Sequence, residues 1–126
     1  MKVLSIVSDG YRATLEEQDD TVLWISQALR RAGAQLDLLL RGPAANYVVK
    51  AQHVCPLTIG ARTQRHAPDV HAQARELAQS GARIFVLEAD VERYGLAESR
   101  KLAAADVVAS AEVPRLVAGY DLVWHW

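Results

Sequence analysis

The chain alternates between short apolar runs and segments in which apolar residues recur every three or four positions. The short runs, rich in leucine and β-branched residues, predict buried strands, and the spaced pattern predicts amphipathic helices. Strands are predicted at residues 2–7, 35–40, 84–87, 106–109 and 121–126. Helices are predicted from Val22 to Gly33, from Pro68 to Gly81, from Val91 to Leu102 and, as short turns, at 44–51 and 113–119.

The order of these elements, strand then helix in repetition, favours right-handed crossovers and a mostly parallel sheet. The predicted fold is a three-layer α/β/α sandwich with five strands, and residues 1–126 are predicted to form a single domain. Residues 52–67 show no period and contain Pro56 and Gly60. They are interpreted as a long loop, and loops of this length are usually functional or mobile.

Composition excludes several classes of protein. Of the 126 residues, 51% are hydrophobic and 23% charged, and the net charge is -1, so neither a disordered chain nor a nucleic-acid-binding protein is expected. No segment has the length of a membrane span, so no membrane partner is expected either. The single cysteine and the lack of a signal-peptide core predict a cytoplasmic protein.

In a parallel sheet, ligands bind beyond the carboxyl ends of the strands. The polar and terminal residues predicted at those ends are Ser8, Asp9, Arg41, Gly42, Glu88, Asp90, Ser110, His125 and Trp126. One interpretation is an anion pocket in which Arg41 and helix N-termini hold the ligand, Asp9 or Glu88 moves a proton, and Gly42 and Asn46 complete the ligand-binding set. The alternative is turn and capping chemistry for the carboxylates and an exposed ion pair for Arg41.

Two nucleotide-binding motifs and one phosphorylation site are missing. There is no G-x-G-x-x-G and no G-x-x-x-x-G-K-[ST], and the final strand ends in His125-Trp126 instead of the lysine that a phosphorylated receiver needs. No cofactor is predicted.

His53, Cys55, His66 and His71 fall within nineteen residues, and imidazole and thiolate together suit zinc or copper. Their spacing matches no compact metal motif, so the alternative is a set of solvated loop and helix residues, and no metal site is predicted. Cys55 is the candidate catalytic residue if the loop leaves its thiol exposed. Otherwise it is a small apolar residue.

Four stretches, VSDG, LLLRGPAANYVV, ARELAQSGARIFVLEADVERYGL and YDLVWHW, resemble the DsrE/DsrF-like family of sulfur-relay proteins in order and spacing. The resemblance covers nearly the whole chain. It implies a five-stranded α/β sandwich, assembly into homo-oligomers (trimers or hexamers), and a persulfide-carrying cysteine at the end of the strand before an R-x-G-[LV] pattern. Leu87 or Glu88 occupies that place here, so the usual nucleophile is absent.

Three functions stay open. The chain is a persulfide carrier or sulfurtransferase that uses Cys55 and exchanges sulfur with donor and acceptor proteins, or a non-catalytic subunit that forms oligomers or docks a related chain. In the third function, the protein binds a small anion near Arg41 and Glu88.

The last strand alternates Leu122, Trp124 and Trp126 with Val123 and His125. The large side chains are expected to cover the core, with a subunit interface as the alternative for Trp126.

Overall fold

The computed structural model describes residues 1–10, 19–50, 55–96, 100–101 and 104–126. Within them the strands are β1 (Lys2–Val7), β2 (Gln35–Leu40), β3 (Thr58–Ile59), β4 (Arg62–Thr63), β5 (Ile84–Leu87), β6 (Ala105–Val108) and β7 (Leu122–His125). The α-helices are α1 (Thr21–Arg31), α2 (Val70–Gln79), α3 (Glu88–Arg93) and α4 (Val113–Val117). Two 3-10 helices lie at Gly42–Val48 and Ser110–Glu112.

Five strands form one parallel sheet in the order β6-β5-β2-β1-β7, and β3 pairs with β4 as a separate antiparallel hairpin. Val7 lies opposite Leu40, and Leu40 lies opposite Val86. The carboxyl ends of three neighbouring strands are therefore level with one another, which brings the loops that follow them to one rim of the sheet.

The strands are apolar because both faces of the sheet are covered. On one face α1 and α2 enclose the larger core, which includes Val7, Leu23, Leu38, Leu77 and Ile84. On the other face the short α4 packs through Val113, Leu116 and Val117 over Leu4, Leu39, Phe85 and Val108. The predicted three-layer α/β/α sandwich is therefore confirmed.

A buried aspartate joins α1 to the rest of the domain. Asp20 is fully buried, and its Oδ1 accepts hydrogen bonds from the backbone N–H groups of Val22 and Leu23, each at 3.0 Å, as an N-cap. Its Oδ2 accepts from the hydroxyl of Tyr47 at 2.5 Å. The same carboxylate therefore begins a helix and anchors the 3-10 segment after β2.

Two predicted elements differ from the structure. The segment interpreted as a loop contains the β3–β4 hairpin, which turns at Gly60 with a φ of 60°. The helix predicted from Val91 begins three residues earlier and ends at Arg93, before Gly95 with its φ of 60°. Residues 97–99 and 102–103 of that prediction lie outside the described residues.

The last strand is less buried than expected. Trp124 packs against the larger core, but Leu122 and Trp126 are 41% and 39% exposed. The expectation that all three cover the core is correct only for Trp124. The cause is the position of β7 at the sheet edge, where it pairs with β1 alone. No helix in the described part of the chain has the length and apolar character needed to cross a membrane.

Candidate functional site

The rim at the carboxyl ends of β1, β2 and β5 carries three of the predicted ligand-binding residues. Asp9 follows β1, Arg41 follows β2, and Glu88 follows β5 as the first residue of α3. All three side chains are exposed. The structure therefore places these residues after adjacent strand ends, as expected for a shared rim, and their role as ligands remains a prediction.

Gly42 holds two loops of this rim close together. Its φ is 55°, and a Cβ placed on it would lie 2.9 Å from the carbonyl oxygen of Ser8. A Cβ on Gly10 would similarly lie 3.1 Å from the carbonyl carbon of Pro43. The backbone after β1 and the backbone after β2 are thus in direct contact, and only glycine fits at Gly42 without a shift.

Asp90 accepts the hydrogen bond that Gly42 offers. The backbone N–H of Gly42 donates to Oδ2 of Asp90 at 2.7 Å, and Asp90 is 7% exposed. The sequence suggested that Asp90 caps its own helix, but the N-cap of α3 is Leu87 and has no side-chain hydrogen bond. Asp90 instead bridges α3 to the loop after β2. An anion bound at Gly42 would have to compete with this carboxylate.

Asn46 lies in the 3-10 helix that follows Gly42. Its side-chain Nδ2 donates to the carbonyl oxygen of Pro43 at 3.0 Å, which stabilises the turn locally. This contact accounts for one donor of the amide, so the contribution of Asn46 to ligand binding also remains a prediction.

A serine–histidine pair lies at the same end of the sheet and was not predicted. Ser8 Oγ and His125 Nε2 are 2.7 Å apart, and the donor depends on the histidine tautomer. The sequence predicts both residues at strand ends, but no signal in the sequence gives the order of the strands in the sheet. Their contact follows from the parallel pairing of β1 with β7, in which Ile6 lies opposite His125.

Cys55 begins an exposed segment, residues 55–66, that contains the β3–β4 hairpin and is called the arm below. Every residue of the arm is exposed except Gln64, including Leu57 at 49% and Ile59 at 67%. Cys55 is a free, exposed thiol. The alternative in which Cys55 is a buried small residue is therefore wrong.

The predicted metal candidates are divided between the arm and α2. His66 is exposed on the arm, His71 lies in the first turn of α2, and His53 falls outside the described residues. Burial lowers the pKa of His71, although the nearby Asp69 carboxylate opposes the shift. Among the described residues no three His, Cys, Asp or Glu side chains converge as a metal site would require.

Solved structures show the same fold. The YchN protein from E. coli superposes with a TM-score of 0.71 at 15% sequence identity, over 100% of both chains. MTH1491, a protein of unknown function from Methanobacterium thermoautotrophicum, superposes with a TM-score of 0.60 at 16% identity, over 97% of this chain and 96% of that one. No protein-family model and no curated protein matches the sequence. The five-stranded α/β sandwich that the DsrE/DsrF-like resemblance implies is confirmed, and at this identity the likeness establishes the fold alone.

Proposed function

We propose that this protein is a DsrE-like sulfur carrier of the cytoplasm that holds persulfide sulfur on Cys55. The observation that carries the proposal is the exposure of this thiol at the start of the arm. A carrier must bring its sulfur into contact with a thiol of a second protein, and a buried cysteine could not do so. The rim position where the family resemblance implies a cysteine has Leu87 and Glu88, neither of which can hold sulfane sulfur.

The transfer is a thiol exchange without net oxidation. The Cys55 thiolate attacks the outer sulfur of a donor persulfide, an Sγ–S bond forms, and the S–S bond of the donor breaks so that the donor leaves as a thiolate. In the second step an acceptor thiolate attacks the same outer sulfur and Cys55 leaves as a thiolate. The two steps return the protein to its starting state.

The test is intact-mass spectrometry after incubation with a persulfide-bearing sulfurtransferase and removal of the donor. The wild-type protein should gain the mass of one sulfur atom, and peptide mapping should assign it to Cys55. Cys55→Ser should gain none. A wild-type protein that remains unloaded under conditions in which a control acceptor protein is loaded would overturn the proposal.

A second candidate function, subunit docking, is favoured by the last strand. β7 is an edge strand in which Leu122 and Val123 are each 41% exposed, and Trp126 directly after it is 39% exposed. The strand carries neither a proline nor the lysine with which edge strands commonly resist pairing. Pairing of β7 with β7 of a second copy would cover these side chains and form a homo-oligomer.

Sedimentation velocity tests this second candidate. Val123→Lys should shift the wild-type oligomer to monomer because a charge would enter the paired edge. The matched control is Val107→Lys on the opposite edge strand β6, where Val107 is 37% exposed. A monomeric wild-type protein at micromolar concentration, or equal effects of the two variants, would contradict docking through β7.

A further inference from the structure

A groove runs between α1 and α2 on the larger-core face. It has a volume of about 390 Å³, within the range of small-ligand pockets, and is called the α1–α2 groove below. Its lining residues from α1 and the preceding turn are Asp19, Trp24, Gln27 and Arg31, and those from α2 and its approach are His66, Asp69, Gln73 and Glu76, with Ala67 and Ala72.

The charge of the groove favours a cation. Three carboxylates, those of Asp19, Asp69 and Glu76, face a single guanidinium, that of Arg31. None of these four groups forms an ion pair with another described residue, since the ion pair within the described ranges joins Arg83 and Asp106. The carboxylates do not converge as ligands of a metal ion would. The groove therefore suits an extended organic cation better than a metal.

Trp24 supplies a surface for such a cation. Its side chain is 53% exposed although it is the largest apolar group of the groove. A guanidinium stacks on an indole face and is attracted by its quadrupole, and arginine does this more often than lysine. Because Trp24 lines the same groove as the three carboxylates, an arginine side chain bound there would gain both the stacking contact with the indole and the attraction of the carboxylates.

Gln73 supplies a donor that has no partner. The residue is 6% exposed, its Oε1 accepts from the backbone N–H of Asp20 at 3.0 Å, and its buried Nε2 has no hydrogen-bond partner. If the side-chain amide were flipped, two donors, Nε2 of Gln73 and the backbone N–H of Asp20, would face each other. The hydrogen bond from Asp20 therefore fixes which atom of the amide is Oε1. A lining side chain with a buried, unused N–H fits a ligand that brings a carbonyl oxygen.

We propose that the α1–α2 groove binds an arginine side chain presented on a peptide. The guanidinium lies against Trp24 and among the three carboxylates, and a carbonyl of the peptide accepts from Nε2 of Gln73. This inference is independent of sulfur transfer, because neither Cys55 nor the rim contributes to the groove.

The probe is N-acetyl-arginine amide, titrated into nitrogen-15-labelled protein and followed by NMR. The indole N–H of Trp24 and the side-chain amide of Gln73 should shift and saturate together, while the indole of Trp126 at the sheet edge should not move. The control ligand is N-acetyl-citrulline amide, which has the same shape without the charge and should bind about tenfold or more weakly.

Substitution of Trp24 tests the stacking contact. Trp24→Leu should weaken arginine binding by about 3- to 10-fold through loss of the stacked ring, and Tyr94→Leu, at an exposed aromatic residue outside the groove, is its matched control. Gln73→Met removes the donor, but its loss of the contact with Asp20 could unfold the protein, so the exposed Trp24 carries the test. Equal affinity for the citrulline ligand, an unchanged affinity of Trp24→Leu, or the lack of a saturable shift would overturn the proposal.

Discussion

The rim and the arm differ in how they are held, although both extend from the same core. At the rim, Gly42 contacts the backbone of Ser8 and donates to the buried Asp90. In the arm, Gly60 has the same left-handed backbone, but no atom lies within 4 Å of a Cβ placed on it. The difference teaches that the tightly packed rim has no cysteine, and that the only cysteine of the sequence lies in the arm, where packing places few constraints.

Substitution of Gly42 and Gly60 gives the largest expected changes in the free energy of unfolding. Gly42→Ala combines a left-handed backbone with a Cβ pressed against a backbone carbonyl, and should lower the free energy of unfolding by about 2–4 kcal/mol. Gly60→Ala carries only the backbone cost and should lower it by about 1–2 kcal/mol. Urea denaturation measures both. Equal losses in the two variants would show that the rim is no more tightly packed than the arm.

Removal of the Asp90 carboxylate is expected to cause the next largest loss of stability. Asp90→Ala leaves the N–H of Gly42 without its acceptor at a buried site, and should cost about 1.5–3 kcal/mol. Glu88→Ala, an exposed carboxylate in the same helical turn, should change stability by no more than about 0.5 kcal/mol. If the two variants are equally stable in urea, Asp90 does not bridge the loops as described.

His71, in the helix that follows the arm, makes the stability of the protein depend on pH. Because burial lowers the pKa of His71, its contribution to stability is complete above the ordinary value of 6.5 and declines as the pH falls below it, when the unfolded chain takes up the proton first. His71→Gln should flatten the decrease in unfolding free energy between about pH 7.5 and 5.5. A decrease that is equally steep in His71→Gln would contradict the assignment.

Cys55 gives the smallest effect on stability. Because the side chain is exposed, Cys55→Ser should change the unfolding free energy by no more than about 0.5 kcal/mol. The thiol should react fully with Ellman's reagent in the folded protein, at a rate close to that in urea. Protection of the thiol until the protein unfolds would mean that the arm packs against something that encloses Cys55.

The sequence predicts the large elements well and the contacts between loops poorly. β2 is predicted to the residue because a short leucine-rich run between Gln35 and Arg41 is typical of a parallel strand covered on both faces. The β3–β4 hairpin is missed because its two-residue strands are exposed on every side chain and have no hydrophobic period to detect. Short elements of this kind leave no pattern in the chain.

The candidate site also has a part that the sequence predicts and a part that it does not. The rim could be predicted because the carboxyl ends of parallel strands always meet at one edge. The link from Asp90 to Gly42 could not, since it joins residues 48 apart through a side chain whose type also suits a helix cap. The contact of Ser8 with His125 depends on the strand order, which local patterns do not encode.

The most direct test of the central claim, that Cys55 carries sulfur for another thiol, is onward transfer. Wild-type protein loaded with persulfide sulfur and freed of its donor is mixed with an acceptor thiol, and the masses of both are followed in time. The account predicts that the protein loses one sulfur atom at the rate at which the acceptor gains one. Sulfur that never loads on Cys55, or that stays there while excess acceptor thiol is present, would contradict it.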